Sequence, residues 1–291
     1  MSLFGYTPPS KLNTLLVLGR VSNLPTIWSN CLAGWWLAGG GSWHRLLWVC
    51  AGVTCLYIGG MFLNDAFDAD FDRIHRKQRP IPSGAITEEE VWRLGWTWLA
   101  LGAGSLIWVN FTTALLAAVL VLVILIYDAI HKVIVLAPVL MAGCRLLVYA
   151  IAAAAARHGF GGLAVWSGLA LATYVLGLSC LARKESAGAP LRQWLMLLLL
   201  APLLLSYWVD DGSYGEAGCV LSLILLTWVL WALHWTFAQP EPNIRFTVSR
   251  LLAGIALVDL LAVAELAQPA ILLFAVFFVL ALAAQRWVPA T

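Results

Sequence analysis

Residues 64 to 72 read N-D-A-F-D-A-D-F-D, four carboxylates and an amide at the end of an apolar run. Asn64, Asp68 and Asp72 are spaced i, i+4 and i+8. On a helix each step of four drifts by only about 40°, so the three side chains share one face. Asp65, seven before Asp72, joins the edge of that face. Negative charge gathered where a hydrophobic segment meets water is costly unless something neutralises it. A hard divalent cation with oxygen ligands does so at least cost. Mg²⁺ commonly takes one or two carboxylates and leaves its other positions to water and phosphate. The four side chains are therefore candidate Mg²⁺ ligands.

The basic loop that follows, R-I-H-R-K-Q-R-P-I-P-S-G over residues 73 to 84, complements that chemistry. A metal-bridged diphosphate carries more negative charge than one Mg²⁺ cancels. Arg73, Arg76, Lys77 and Arg79 would supply the rest and would stabilise diphosphate as it leaves. Pro80, Pro82 and Gly84 predict an ordered turn. For Arg73, Arg76 and Lys77 a second reading stands beside this one, since positive charge in this loop is also a topology signal.

The elements that must hold these residues are membrane helices. Of the 291 residues, 62% are hydrophobic and 11% charged, with mean hydropathy +0.87. Soluble domains are near 45–50% apolar and about 25% charged. The net charge of +2 gives no reason to expect a nucleic-acid partner. Trp43, Trp48, Trp92, Trp96, Trp194, Trp208 and Trp287 stand near segment ends, as interfacial belts do. The six Cys lie in apolar runs without a C-x-x-C pair and read as packing residues. Residues 1–13 form a short polar lead with no cleavable signal.

Apolar segments fall near 14–40, 44–66, 91–109, 111–130, 133–155, 162–183, 191–209, 216–237, 247–267 and 269–287. About twenty residues cross a bilayer core, and eight of these segments make convincing spans. The last two are parted only by Gln268 and Pro269. With the N-terminus inside, Lys11, Arg20, the 73–79 cluster, Arg93, Lys132, Arg183, Lys184, Arg192, Arg245 and Arg250 are cytoplasmic. Little beyond Arg45 and Arg157 lies opposite, which is the positive-inside pattern. The expectation is an integral membrane protein, of a bacterial cytoplasmic membrane, with its acidic motif facing the cytoplasm. The acidic loop from Asp210 to Glu216 falls outside and reads as a solvated turn.

Further polar residues sit in or beside the spans. G-R-V-S-N-L-P-T-I-W-S-N places Arg20, Asn23 and Asn30 near the start of the first, where Pro25 would bend it. Y-D-A-I-H-K puts Tyr127, Asp128, His131 and Lys132 at the inner end of the fourth. Arg145 lies well inside the fifth and is expected to face a cavity, a carboxylate or an anionic substrate. Asp259 and Glu265 have no evident role and are consistent with a segment that does not span.

The acidic motif with its R-P-I-P-S-G sequel resembles the first signature of the UbiA superfamily of intramembrane prenyltransferases, N-D-x-x-D-x-x-x-D. The opening G-R-V-S-N-L-P-T and the Y-x-x-x-H-K element resemble that family too, and the likeness runs from about residue 12 to at least 210. It implies an all-α bundle of about nine transmembrane helices around a central cavity, one domain over residues 1–291. It implies an isoprenoid diphosphate held through Mg²⁺ by Asn64, Asp68 and Asp72, with Arg20, Asn23, Tyr127 and Lys132 around the diphosphate or a hydrophobic, electron-rich acceptor. Arg73, Arg79 and Arg145 join the expected diphosphate contacts, Asp65 the expected metal ligands, and lipid surrounds the whole.

One departure stands out. Typical members carry a second motif, D-x-x-x-D, where this chain reads L-A-R-K-E-S-A-G over residues 181 to 188. Only Glu185 can stand for an aspartate. In one reading Arg183 and Lys184 replace the lost metal ligands and bind diphosphate directly. In the other the chain binds or helps translocate a lipid or secondary-metabolite precursor without catalysis. The A-R-K-E and Y-D-A-I-H-K stretches resemble the EboC-like branch of the family, which fits that second reading.

Overall fold

The computed structural model describes residues 10–187, 193–204, 215–237, 243–264 and 270–290, without the side chains of residues 184–187, 193, 215, 216 and 270. It is all-helical over these residues. The first expected span is interrupted. α1 (Lys11–Leu18) ends at Gly19, a 3₁₀ turn covers Val21–Asn23, and α2 (Leu24–Leu37) follows. Pro25 does not bend a helix but occupies the first turn of α2, where its missing N–H has no partner to lose.

α3 (Trp43–Phe67) carries the start of the acidic motif on its C-terminal end, and α4 (Ala69–His75) resumes directly after Asp68. The helical hydrogen bonds run through the junction, Asp68 N to Asn64 O at 3.0 Å and Asp72 N to Asp68 O at 2.9 Å. The expected spacing is thereby kept. α5 (Glu88–Ile107) is capped by Thr87 and begins with Glu88, Glu89 and Glu90, which complement its N-terminal dipole. It packs tightly on α3. A Cβ on Gly102 would sit 2.7 Å from the Gly52 carbonyl oxygen, so the two backbones meet only because glycine is there.

α6 (Phe111–Ile130) starts in a capping box of Asn110 and Thr113. It buries Thr113, Ala117, Leu120 and Asp128 and exposes Leu115, Val119, Leu122 and Ile126, a lipid-facing stripe at helical spacing. α7 (Ala137–Ala154) lies against α2, where a Cβ on Gly34 would come within 2.7 Å of the Tyr149 carbonyl oxygen. α8 (Gly162–Ala187), a 3₁₀ stretch over Gln193–Leu200, α9 (Gly215–Phe237), α10 (Ile244–Ala262) and α11 (Ala270–Ala284) complete the bundle.

Five described helical segments are long and apolar enough to cross a membrane: Trp43–Phe67, Phe111–Ile130, Ala137–Ala154, Gly162–Arg183 and Ala217–Phe237. Trp194–Leu204 and Ile271–Ala284 are apolar but shorter. α10 is an interior helix rather than a flanking one, with Asp259 fully buried. After α11 the chain returns to the first helices. The carbonyl of Ala290 accepts from Asn23 Nδ2 at 3.0 Å.

Candidate functional site

The C-terminal ends of α3 and α6, with α4, gather a cluster of opposite charges around buried acids. Asn64, Asp65, Asp68, Asp72 and Asp128 are each no more than 8% exposed. Arg20 enters from the turn before α2, where it holds φ 42° and ψ 48°, the only positive φ among described non-glycine residues. Such a left-handed conformation costs roughly 1–2 kcal/mol and is kept where surrounding contacts fix it. Here the contacts are to the acidic motif. Arg20 Nη2 donates to Asn64 Oδ1 and to Asp65 Oδ1, both at 3.2 Å.

Arg79 donates to the same Asp65 oxygen at 3.3 Å, so one carboxylate holds two guanidinium groups. Lys132 Nζ lies 2.7 Å from Asp68 Oδ1 and 3.9 Å from the centroid of the Phe71 ring. His131 Nε2 is 3.5 Å from the same Asp68 oxygen, and the Tyr127 ring stacks on the His131 imidazole at 5.1 Å. Asn64 Nδ2 donates to Asp128 Oδ1 at 3.0 Å.

The electrostatics follow from burial against pairing. Burial opposes ionisation of Asp68, but the bonds from His131 and Lys132 outweigh it and hold the carboxyl below its ordinary value. Burial likewise lowers His131, and Asp68 more than reverses that. At Asp72 burial pushes the carboxyl up against the pull of Arg79 and Arg76, and its buried Oδ1 has no hydrogen-bond partner. Burial lowers Arg79, with Arg20 adding repulsion.

Several expected residues are placed elsewhere. Arg73 is half exposed and turns outward, with Nη1 2.6 Å from Asp70 and Nη2 2.5 Å from Glu88. The competing signal was present in the acidic start of α5. Asn23 is near Arg20, but its amide donates to the Tyr57 hydroxyl at 3.2 Å and to the Ala290 carbonyl. Arg145 is held apart from the acidic motif by donating to Asn30 Oδ1 at 2.7 Å and Thr26 Oγ1 at 3.3 Å. Asp259 closes that second network, accepting from Ser29 Oγ, from Asn30 Nδ2 at 2.7 Å and from the Tyr149 hydroxyl at 3.0 Å. Arg183 Nη1 donates to the Ile134 carbonyl at 2.6 Å, tying α8 to the loop after α6. The side chains of Lys184 and Glu185 lie outside the described residues, as do Glu265 and the 210–214 loop.

Asp128 was recognised in sequence only as part of a helix end. Its burial against Asn64 needs the packing of α6 on α3, which local spacing does not encode. A cavity of about 540 Å³ lined by Trp35, Trp36, Trp43 and His158 lies at the opposite end of α3 and is unrelated to the acids.

No three described His, Cys, Asp or Glu side chains converge to enclose a metal ion by themselves. An all-protein cage is thus absent among the described residues. The donor set does fit a cation that shares its shell with phosphate and water, as Mg²⁺ does. Asn64, Asp68 and Asp72 present oxygens on one side, and the unpartnered Asp72 Oδ1 has an acceptor to give.

Comparison with known proteins places the chain in a family. A digeranylgeranylglyceryl phosphate synthase of Ignicoccus hospitalis is 35% identical over 92 residues, 32% of this chain and 30% of that one. A 4-hydroxybenzoate octaprenyltransferase of Polaromonas naphthalenivorans is 33% identical over 113 residues, 36% of this chain and 39% of that one. The chain thus matches about a third of the length of these curated relatives. In fold it is similar to a UbiA homolog from Archaeoglobus fulgidus bound to GPP and Mg²⁺, with TM-score 0.53 and 13% identity over 94% of this chain and 97% of that one. A structure concerned with digeranylgeranylglyceryl phosphate synthase in membranes gives TM-score 0.62 at 18% identity, over 94% of this chain and all of the other. With its acidic motif, its helical bundle and a match over residues 24–255, the chain belongs to the UbiA prenyltransferase family.

Proposed function

We propose that this protein is an intramembrane prenyltransferase that moves an isoprenoid chain from a prenyl diphosphate to a hydrophobic, electron-rich acceptor such as an aromatic ring. The whole chain is read as one such domain in a bacterial cytoplasmic membrane, its acidic motif toward the cytoplasm. The observation that carries the reading is a buried carboxylate cluster faced by Arg20, Arg79 and Lys132, with an unpartnered oxygen on Asp72.

Asn64, Asp68 and Asp72 would hold Mg²⁺, which when bound draws charge from the diphosphate oxygens. Arg20, Arg79 and Lys132 supply charge-assisted bonds that strengthen as the prenyl C–O bond breaks and its electron pair leaves with diphosphate. Asp65 keeps Arg20 and Arg79 in place, since one oxygen accepts from both. The allylic cation takes an electron pair from the acceptor, which then loses a proton. The apolar bundle interior keeps water from intercepting the cation.

A second reading is favoured by one feature: the protein's own cations already neutralise Asp65 and Asp68. A protein that binds or moves an anionic lipid precursor would need no more than that. Purified protein in lipid vesicles, given labelled prenyl diphosphates of several lengths and candidate acceptors, separates the two. Transfer gives a lipid-soluble product and an equal amount of pyrophosphate, both lost on adding EDTA. Tight binding without pyrophosphate release supports the carrier.

A further inference from the structure

Arg20 reaches the acidic motif from a backbone that has to be held. Its φ of 42° and ψ of 48° are left-handed, a conformation that is unfavourable for any residue with a Cβ and persists where its surroundings fix it. Asn64 and Asp65 hold the guanidinium. The backbone is held from the other side. The Arg20 carbonyl accepts from Asn23 N at 3.0 Å and from the Tyr57 hydroxyl at 3.4 Å. Asn23 Nδ2 donates to that hydroxyl at 3.2 Å and to the Ala290 carbonyl at 3.0 Å. A chain of hydrogen bonds therefore runs from Ala290 through Asn23 and Tyr57 to the backbone of Arg20.

The stretch after α11 is seated firmly enough to anchor that chain. Val288 N bonds Ala284 O at 3.0 Å, which continues the last turn of the helix. Val288 and Ala290 are 5% and 4% exposed. Ser22, fully buried, donates from Oγ to the Pro289 carbonyl at 3.5 Å. Two consecutive carbonyls thus accept from two consecutive side chains of the 3₁₀ turn, 267 residues away in sequence. The Asn23 amide nitrogen is spent on Tyr57 and Ala290, and its Oδ1 is an acceptor, so Asn23 offers no donor to a diphosphate anion.

We propose that residues 288–290 are a positioning clamp: by holding Ser22 and Asn23 they fix the left-handed turn that presents the Arg20 guanidinium to the diphosphate. This rests on the diphosphate reading above. The clamp touches no substrate and acts only through Arg20. Its own contribution is two backbone carbonyls, so what its sequence must supply is seating, through the buried side chains of Val288 and Ala290.

The test is a double-mutant cycle on the full-length protein in lipid, reading affinity for inorganic diphosphate with Mg²⁺ by calorimetry. Arg20→Ala removes a charge-assisted bond and should weaken binding about tenfold or more. Val288→Asp unseats the clamp, and Asn23→Ala releases it without burying a new charge. Each should weaken binding about three- to tenfold, the scale of losing a neutral hydrogen bond. In an Arg20→Ala background neither should weaken it further, because residues that act through one another are not additive. Val288→Ile should bind as the parent does. Losses that add in the double variants would make the clamp general scaffolding and overturn the proposal. Parental affinity in Asn23→Ala, or in Arg20→Ala, overturns it too and leaves the diphosphate reading standing. A parent that binds no diphosphate overturns both.

Discussion

Two polar clusters lie inside this bundle, and they are finished differently. Around Asp259, the Ser29 hydroxyl, the Asn30 amide and the Tyr149 hydroxyl all donate to one carboxylate, and Arg145 donates to Asn30 and Thr26. No buried side-chain atom of that network lacks a partner. At the C-terminal end of α3 the acids are buried and the bases partly exposed, yet Asp72 Oδ1, Asp128 Oδ2 and Arg20 Nε have none. A closed network of this kind specifies how helices pack. An open one is stabilised only when something binds. The contrast assigns structure to the first cluster and ligand chemistry to the second.

The comparison is broken most severely by changing a carboxylate of the open cluster. Asp68→Ala and Asp72→Ala should each lower prenyl transfer by about 10²–10³-fold, the scale of losing one preorganised electrostatic stabiliser. Their thermal midpoints in lipid should stay close to the parent's. A large loss of stability with activity per folded molecule unchanged would place Asp68 and Asp72 in the structural class. The converse substitution is Asp259→Leu. It strands three buried donors and should destabilise by about 2–4 kcal/mol, read as a lower unfolding midpoint, while the surviving folded fraction binds diphosphate normally.

A smaller effect is expected at the cations of the open cluster. Arg79→Ala removes one charge-assisted bond, about 1.5–3 kcal/mol, and should weaken inorganic diphosphate binding about tenfold or more by calorimetry. The smallest belongs to the basic residues that the fold directs elsewhere. Arg73, half exposed against Asp70 and Glu88, should change diphosphate affinity by less than about twofold when replaced by Ala, as surface pairs do. Arg183→Ala should act mainly on the loop that its bond to Ile134 secures, with a similarly small change in diphosphate affinity.

The open cluster was largely legible in sequence because its acids lie on one continuous helical path. Asn64, Asp68 and Asp72 need only the 3.6-residue period, and the hydrogen bonds through Asp68 preserve it. Lys132 and Arg20 were found by type and by position at a membrane boundary. The left-handed backbone at Arg20 was not, since it goes with long-range bonds to Asn64 and Asp65 on α3. Arg73 and Arg79 read alike as loop cations, and their partners separate them: Glu88 at the acidic start of α5 takes Arg73, and Asp65 takes Arg79. Of the closed cluster only members were legible: Arg145, Asn30 and Asp259 stood out as polar residues in or beside spans, but not as partners. Its bonds join residues 115 and 230 apart, Arg145 to Asn30 and Ser29 to Asp259, and no local pattern announces them. Asp259 consequently had no evident role in sequence, although it is fully buried.

The most direct test of the division is the stabilisation that Mg²⁺ and inorganic diphosphate confer together, measured as the shift in thermal midpoint for the parent, Asp72→Asn and Asp259→Leu in lipid. Ligand that binds only the folded state raises the midpoint. The account predicts a shift in the parent, the same shift from a lower starting midpoint in Asp259→Leu, and none from a near-parental midpoint in Asp72→Asn. A shift that survives in Asp72→Asn and vanishes in Asp259→Leu would contradict it.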